Sequence, residues 1–379
     1  MFEIFNLKDD SFPVTPVDQQ ETSWFGFKSL KREFDTIFQR SGSEQLRLCV
    51  LNRGRLGAGK THAAHYFADK LSSRRTMGIY KSFVPVVIES PKQPQKAFVD
   101  FATRLQNSIT FRRLAQISTD LRELLGETEL FKRLLDATGS EDVASVLSTM
   151  SQENLLSRKA YLLGVGTAKE LREIGVAKRL TVDHEFALAV IGVLQLMIQA
   201  PSRGSEALNR VVLWVDEMED LVFFQTRYYL PFTQALREVI DNTNQHLTLM
   251  LNFTFAEPED LPAIENVLGQ AIMQRVNHHI VFQDPTSDDL KTYLLELLEA
   301  NRLEKKGSAT FPFARDAFDL LIESSVSRTP RFLNTLCDML LRDVQQDWGN
   351  RSRANREISG DLLAEKLPGL MALIEESRR

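Results

Sequence analysis

The run Leu48-Cys49-Val50-Leu51-Asn52-Arg53 leads into Gly54-Arg55-Leu56-Gly57-Ala58-Gly59-Lys60-Thr61, a G-x-x-x-x-G-K-T loop. Glycines at 54, 57 and 59 permit positive φ and close backbone approach, so that successive N–H groups can wrap phosphate oxygens. Ala58 and His62 belong to the same expected phosphate-binding stretch, Lys60 suits the β- and γ-phosphates, and the Thr61 hydroxyl suits Mg²⁺. An apolar strand before the loop and a breaker-free run after it, His62 to Leu71, give the strand-loop-helix context that phosphate binding needs. A second chemical signal is Val211-Val212-Leu213-Trp214-Val215-Asp216-Glu217, an apolar strand ending in two carboxylates. There Asp216 is suited to Mg²⁺ and Glu217 to polarising an attacking water as general base. A third is Leu247-Thr248-Leu249-Met250-Leu251-Asn252-Phe253-Thr254, in which Asn252 is placed to orient that water. Thr254 is the alternate, and a plain strand-end cap is the competing reading.

These strands must lie side by side for the chemistry to work. Continuous apolar runs fit the interior of a parallel sheet, whose carboxyl edge is where ligands bind. Phe83 to Ser90, closed by Pro91 and Pro94, reads as another buried strand, and Lys28 to Gln39 and Tyr228 to Val239 as amphipathic helices. The first 22 residues look like an extended arm. Trp24, Phe25 and Phe27 either line an adenine pocket or staple the following helix to the sheet. A compact nucleotide-binding core needs few residues between its second strand and the carboxylate strand, so residues 95–208 read as an inserted helical subdomain, with helices at Phe98 to Ile109, Leu121 to Leu135 and Glu185 to Met197.

Composition bounds the rest. The 379 residues are 43% hydrophobic with a net charge of -5, which is ordinary for a soluble chain and argues against one built mainly to coat nucleic acid. No apolar run is long enough to span a bilayer, and Phe186 to Ile198 falls short, so a cytoplasmic location is expected with no membrane partner. Cys49 and Cys337 lack metal-ligand spacing and are expected as buried thiols in a reducing compartment. His62 with His65, and His278 with His279, lack the partners a metal site wants, so Mg²⁺ is the metal expected. Gly164-Val165-Gly166-Thr167-Ala168 is similar to a helix-hairpin-helix DNA-binding turn, but the following positions fall out of register and an ordinary interhelical turn is the expectation. Arg112, Arg113, Lys132, Arg133, Lys178 and Arg179 share their region with many acids, and a solvated mixed face is expected there.

The order of strand, P-loop, helix, strand, Asp-Glu strand, helix and strand ending in Asn resembles the AAA+ ATPases, and within them the initiator and origin-recognition branch. Phe25-Gly26-Phe27 resembles that branch's aromatic-Gly-Arg entry motif with Phe27 in place of Arg. Gln274-Arg275-Val276-Asn277-His278-His279-Ile280-Val281-Phe282 is similar to the segment carrying the arginine finger, which implies Arg275 as finger, reaching a neighbouring subunit. Ser327-Arg328-Thr329-Pro330-Arg331 is similar to the sensor-2 motif and implies Arg331, with Arg328 as fallback. The resemblance implies an α/β P-loop NTPase fold with a central parallel sheet: an arm at 1–22, the nucleotide-binding domain at 23–283, an α-helical lid at 284–347 and a helical tail at 348–379. About thirty residues follow Asp347, too few for a winged helix, and they open on Arg351, Arg353 and Arg356. The function implied is binding and hydrolysis of MgATP at a subunit interface of a homo-oligomer, to remodel or regulate a protein or DNA complex. The protein partner would be met through the insertion. A nucleotide-dependent switch with little hydrolysis is the alternative. The insertion and the Asp216 strand also resemble ATPases of BREX-type phage-exclusion systems and transposon target selection, which would imply phage defence or DNA mobility.

Overall fold

A computed structural model of the chain describes residues 2–9, 11–13, 23–72, 82–201, 208–255, 261–305, 307–325, 329–348 and 357–376. In chain order its main elements are α1 (Lys28–Ser43), β1 (Leu48–Gly54), α2 (Lys60–Ser72), β2 (Phe83–Glu89), α3 (Ala97–Ile109), α4 (Phe111–Leu125), α5 (Glu127–Thr138), α6 (Glu141–Ser148), α7 (Leu155–Leu162), α8 (Ala168–Glu173), α9 (Asp183–Gln199), β3 (Arg210–Asp216), α10 (Thr226–Thr243), β4 (Leu247–Thr254), α11 (Leu261–Met273), β5 (His278–Phe282), α12 (Ser287–Asn301), α13 (Arg315–Ser325), α14 (Pro330–Trp348) and α15 (Gly360–Glu376). They divide into two compact units. One is Glu33–Arg53 with Ala64–Val281; the other is Met1–Arg32, Gly54–Ala63 and Phe282–Arg379.

The first unit is built on a parallel sheet of order β2-β3-β4-β1-β5. Every residue of β3 is buried, as a central strand covered on both faces requires. Its alternation still sorts the faces. Trp214 lies among Phe34, Phe38 and Phe67, with ring centroids 5.9 to 6.4 Å away, whereas Leu213 and Val215 join the core of the inserted helices. Register aligns Glu89 with Asp216 and Val215 with Leu251, so the polar ends of β2, β3 and β4 reach the same sheet edge.

Helices α3 to α9 fill the interval between β2 and β3. Helix α9 is buried nearly all round, which explains an apolar run too short for a membrane. The single helix expected from Leu121 to Leu135 is two helices, because Gly126 at φ 84 ends α4 and starts α5.

One buried residue had no precedent in the apolar pattern. Arg210, at the start of β3, is fully buried. Its Nε donates to Thr248 Oγ1 at 2.8 Å, and its terminal nitrogens donate to the carbonyls of Glu44 and Leu46. The charge is therefore met by carbonyl dipoles, including one just past the negative end of α1.

The second unit carries the P-loop and helices α12 to α15 around a core that includes Leu294, Phe318, Leu336 and Cys337. Residues Phe2–Phe5, expected as extended arm, form a 3-10 turn whose Phe2 and Phe5 rings are fully buried in that core. Helix α15 adds Leu363, Leu370 and Ile374 to it, and Lys366 Nζ lies 2.5 Å from Asp343 and 2.6 Å from Asp347 on α14. Arg328, Arg351, Arg353 and Arg356 lie outside the described residues.

Candidate functional site

The P-loop follows from its glycines. Gly57 has φ 79 and Gly59 φ 101, backbone regions that L side chains rarely adopt. Helix α2 begins at Lys60, and the Ala63 N–H donates to the Gly59 carbonyl at 2.8 Å. Lys60 is buried, with Nζ donating to the carbonyls of Gly54 at 2.9 Å and Arg55 at 3.0 Å. Thr61 is half-buried, and Ala58 N–H bonds back to the Arg55 carbonyl at 3.2 Å. Arg55 pairs with Asp284 at 3.1 Å.

Two further groups lie against this loop within the same unit. A Cβ placed on Gly57 would sit 2.8 Å from Thr329 Oγ1 and 2.9 Å from Arg331 Cβ, so the loop abuts the start of α14. That proximity places Arg331 beside the P-loop. Trp24 lies 5.9 Å from the exposed His62 ring, and its Nε1 donates to the Gly26 carbonyl at 3.0 Å. Gly26 and Phe27 are both left-handed, with φ 58 and 44. Gly26 N–H donates to Glu296 at 2.7 Å, and Phe27 packs on Tyr293 at 5.9 Å. The entry motif thus fixes the start of α1 against α12, and Trp24, just before it, lies beside the first turn of the P-loop helix.

In the sheet unit, Asp216 is buried at the end of β3. Its Oδ1 accepts from the Asn252 side-chain amide at 3.0 Å and from the Glu217 N–H at 3.0 Å. Asn252 is itself buried. Its Oδ1 accepts from Asn52 Nδ2 at 2.8 Å and Trp214 Nε1 at 3.1 Å. Asn252, the candidate for orienting the attacking water, donates its amide to Asp216 and so holds that carboxylate in place. The Thr254 N–H, next in line, donates to Glu219 at 2.9 Å.

Glu217 takes the left-handed conformation, φ 57 and ψ 36, at a cost of about 1 kcal/mol for a residue with a Cβ. Ser90 holds it there: its N–H donates to the Asp216 carbonyl and its hydroxyl to the Glu217 carbonyl, both at 2.7 Å. The Glu217 carboxylate is 49% exposed and is engaged by Lys92, which also pairs with Asp220. Partial burial pulls the Lys92 ammonium down, but the hydrogen bonds it donates to Asp220 and Glu217 outweigh it and hold the group above its ordinary range.

Arg275, the finger candidate, is engaged within its own chain. Its Nε and Nη2 grip Asp241 at 2.7 and 2.6 Å, Nη1 donates to the Ala271 carbonyl, and its side chain is only 18% exposed. The guanidinium holds the Asp241 carboxyl below its usual range, with Arg47 adding to the effect. A guanidinium spent in this way ties α10 to the end of α11.

Sequence reasoning missed Lys92, Ser90 and Asn52. Only Asn52 left a trace, as a polar residue inside an otherwise apolar strand.

No protein-family model and no curated protein matches this chain. Among solved structures, the chain is similar to the Aeropyrum pernix ORC1 protein in complex with DNA, with TM-score 0.53 at 12% identity over 98% of this chain and 70% of that one. The Aeropyrum pernix ORC2 protein in ADPNP-ADP complexes gives 0.49 at 10% identity, over 92% of this chain and 70% of that one. The Drosophila ORC bound to DNA gives 0.48 at 14% identity, over 89% and 61%. A five-stranded parallel sheet of order β2-β3-β4-β1-β5, a P-loop after β1, an Asp-Glu pair after β3 and a C-terminal helical unit, together with the first of these likenesses, give the chain an AAA+ P-loop NTPase fold similar to that of the Aeropyrum pernix ORC1 protein.

Proposed function

We propose that the chain is an ATPase that binds MgATP and hydrolyses it. The observation that carries this reading is Lys60. A buried ammonium at the first residue of a helix stands at the positive end of the helix dipole, an unfavourable place for a cation, and two loop carbonyls hold it there. An anionic phosphate resolves that conflict. The glycine conformations around it leave room for the loop N–H groups to turn toward such an anion.

In this reading the N–H groups of Gly57, Gly59 and His62, with Lys60, bind the phosphates, and the Ala58 N–H joins them by leaving the Arg55 carbonyl. Thr61 and Asp216 suit Mg²⁺, which when bound neutralises charge on the phosphate oxygens. Each offers the oxygen donor a hard cation takes, a hydroxyl from Thr61 and a carboxylate from Asp216 whose hydrogen bonds converge on Oδ1. Glu217 takes a proton from water as the water oxygen bonds to the γ-phosphorus and the bond to the bridging oxygen breaks, giving ADP and phosphate. To do so it must exchange Lys92 for water. Arg331, set against the P-loop through Gly57, supplies charge to the phosphates. Asn252 acts by positioning Asp216. Trp24 is the better candidate for touching the base.

Steady-state hydrolysis decides the assignment. Lys60→Ala is expected to abolish nucleotide binding, and Glu217→Gln to retain binding while turnover falls about 10²-fold or more. Unchanged turnover in either variant would sink it.

A second reading, a nucleotide-dependent switch with negligible hydrolysis, is favoured by the engagement of Glu217 with Lys92 and of Arg275 with Asp241. It predicts assembly that follows nucleotide state in gel filtration without turnover. Under either reading the cycle acts on a protein or DNA complex, and assembly of several copies is part of the proposal. DNA enters because the Aeropyrum pernix ORC1 structure contains it. Phage defence and DNA mobility are settings the insertion's resemblance suggests.

A further inference from the structure

Helices α7 and α8 form a hairpin set by capping chemistry. Gly164 (φ 67) ends α7, with its N–H on the Tyr161 carbonyl at 2.8 Å and the Val165 N–H on the Ala160 carbonyl at 2.9 Å. This is the left-handed glycine cap that turns a chain sharply off a helix. Three residues later Thr167 opens α8 with a capping box, in which its side chain accepts from the Glu170 N–H and Glu170 bonds the Thr167 N–H at 2.7 Å. Gly175 (φ 74) repeats the left-handed cap at the end of α8.

Packing requires glycine at 164 and leaves little room for a side chain at 166. A Cβ on Gly164 would lie 2.6 Å from Phe186 Cζ, and one on Gly166 would lie 3.1 Å from Leu171 Cδ2. The hairpin is anchored by buried Tyr161, Leu162, Leu171, Ile174 and Leu180. The turn is therefore a rigid two-helix corner with Val165 at its tip, 64% exposed.

Its exposed residues are mostly basic. Residues 155–180 hold six lysines and arginines and two glutamates, in a chain whose net charge is -5. Lys159, Lys169, Arg172, Lys178 and Arg179 are exposed; Lys178 pairs with Glu185, Glu170 is committed to the cap, and the exposed Glu173 accepts from the Ser157 hydroxyl, so the unpaired balance of the stretch is basic. Apart from Val165 and Leu156, the exposed side chains of this stretch are charged or small. A protein-docking surface concentrates aromatic and apolar groups at its centre and depletes lysine, so this face suits a polyanion.

We propose that the α7–α8 hairpin binds the phosphate backbone of duplex DNA, with Lys169, Arg172 and Arg179 meeting the phosphates. The inference rests on the reading above for its DNA partner and not on hydrolysis. The test is fluorescence anisotropy of the full chain, with MgATP, on a labelled duplex of about 30 base pairs at several salt concentrations. The variant Lys169→Glu/Arg172→Glu/Arg179→Glu is expected to bind more than tenfold more weakly, with a salt slope shallower by about 2 to 3, close to one for each phosphate it no longer neutralises. Lys132→Glu/Arg133→Glu on α5, a control of the same charge-reversing kind, should stay within twofold of wild type. The milder Lys169→Ala should weaken binding about two- to threefold, which keeps the test valid if the triple variant melts early. The proposal is overturned if wild type does not bind duplex, if the triple variant binds as wild type does, or if polyglutamate competes as well as DNA, the last marking an acidic protein partner. Turnover without DNA, read on the same samples, reports the ATPase assignment separately.

Discussion

At the scale of single residues, the chain places its chemistry by backbone conformation as much as by side-chain type. Glu217 is left-handed without being glycine, and Ser90 closes both carbonyls around it. Gly57 is left-handed and touches Thr329 and Arg331 at once. Gly57→Ala should therefore lose about 1 to 3 kcal/mol of stability in urea unfolding and weaken nucleotide binding; wild-type values for both would show that the loop has slack the structure denies. The identities of Lys60, Thr61, Asp216 and Glu217 were legible because a loop motif and an apolar strand ending in carboxylates are local patterns. The partners were not. Lys92 meets Glu217, and Asn52 meets Asn252, across sequence separations of 125 and 200 residues, and no local pattern encodes such a distance. Arg275 shows the same limit: the segment resembles a finger, and its pairing with Asp241, 34 residues away, is not written in it.

At the scale of elements, the strands were readable from continuous apolar runs, and the register of β3 with its neighbours follows once each is buried on both faces. The insertion was located but its internal breaks were blurred, because Gly126 splits a periodic stretch that reads as one helix. Helix α9 owes its start to Glu185, which accepts from the Thr181 N–H at 2.7 Å, the Val182 N–H at 3.3 Å and Lys178 Nζ at 2.7 Å. Burial alone would raise this carboxyl, but Lys178 and the two N–H groups prevail and bring it down to about 2. A carboxyl depressed in the folded state contributes stability that is fully present above its unfolded value and is lost as pH falls toward the folded one. Urea unfolding of wild type should therefore weaken between about pH 4.5 and 2 more steeply than that of Glu185→Gln, which lacks the titrating group. Parallel curves would deny Glu185 that role.

At the scale of the molecule, two hydrophobic cores support the two units, and ligand binding should register in their stability. Nucleotide at a hundred times its dissociation constant adds about 2.7 kcal/mol to the folded state. The melting temperature of wild type should thus climb with the logarithm of MgATP concentration, and that of Lys60→Ala should not. An equal rise in both would place the nucleotide somewhere other than the P-loop.

The distribution of the two cysteines has its own consequence. Cys49 lies in the sheet unit and Cys337 in the helical unit, each fully buried in its own core. Burial pushes the Cys49 thiol up to about 12 and raises Cys337 as well, so neither reacts while its surroundings stay closed. Each unit therefore contains one built-in chemical clock. The rate at which an alkylating reagent labels each sulfur counts the openings of that unit alone, and repeating the measurement with nucleotide tells which of the two is quietened.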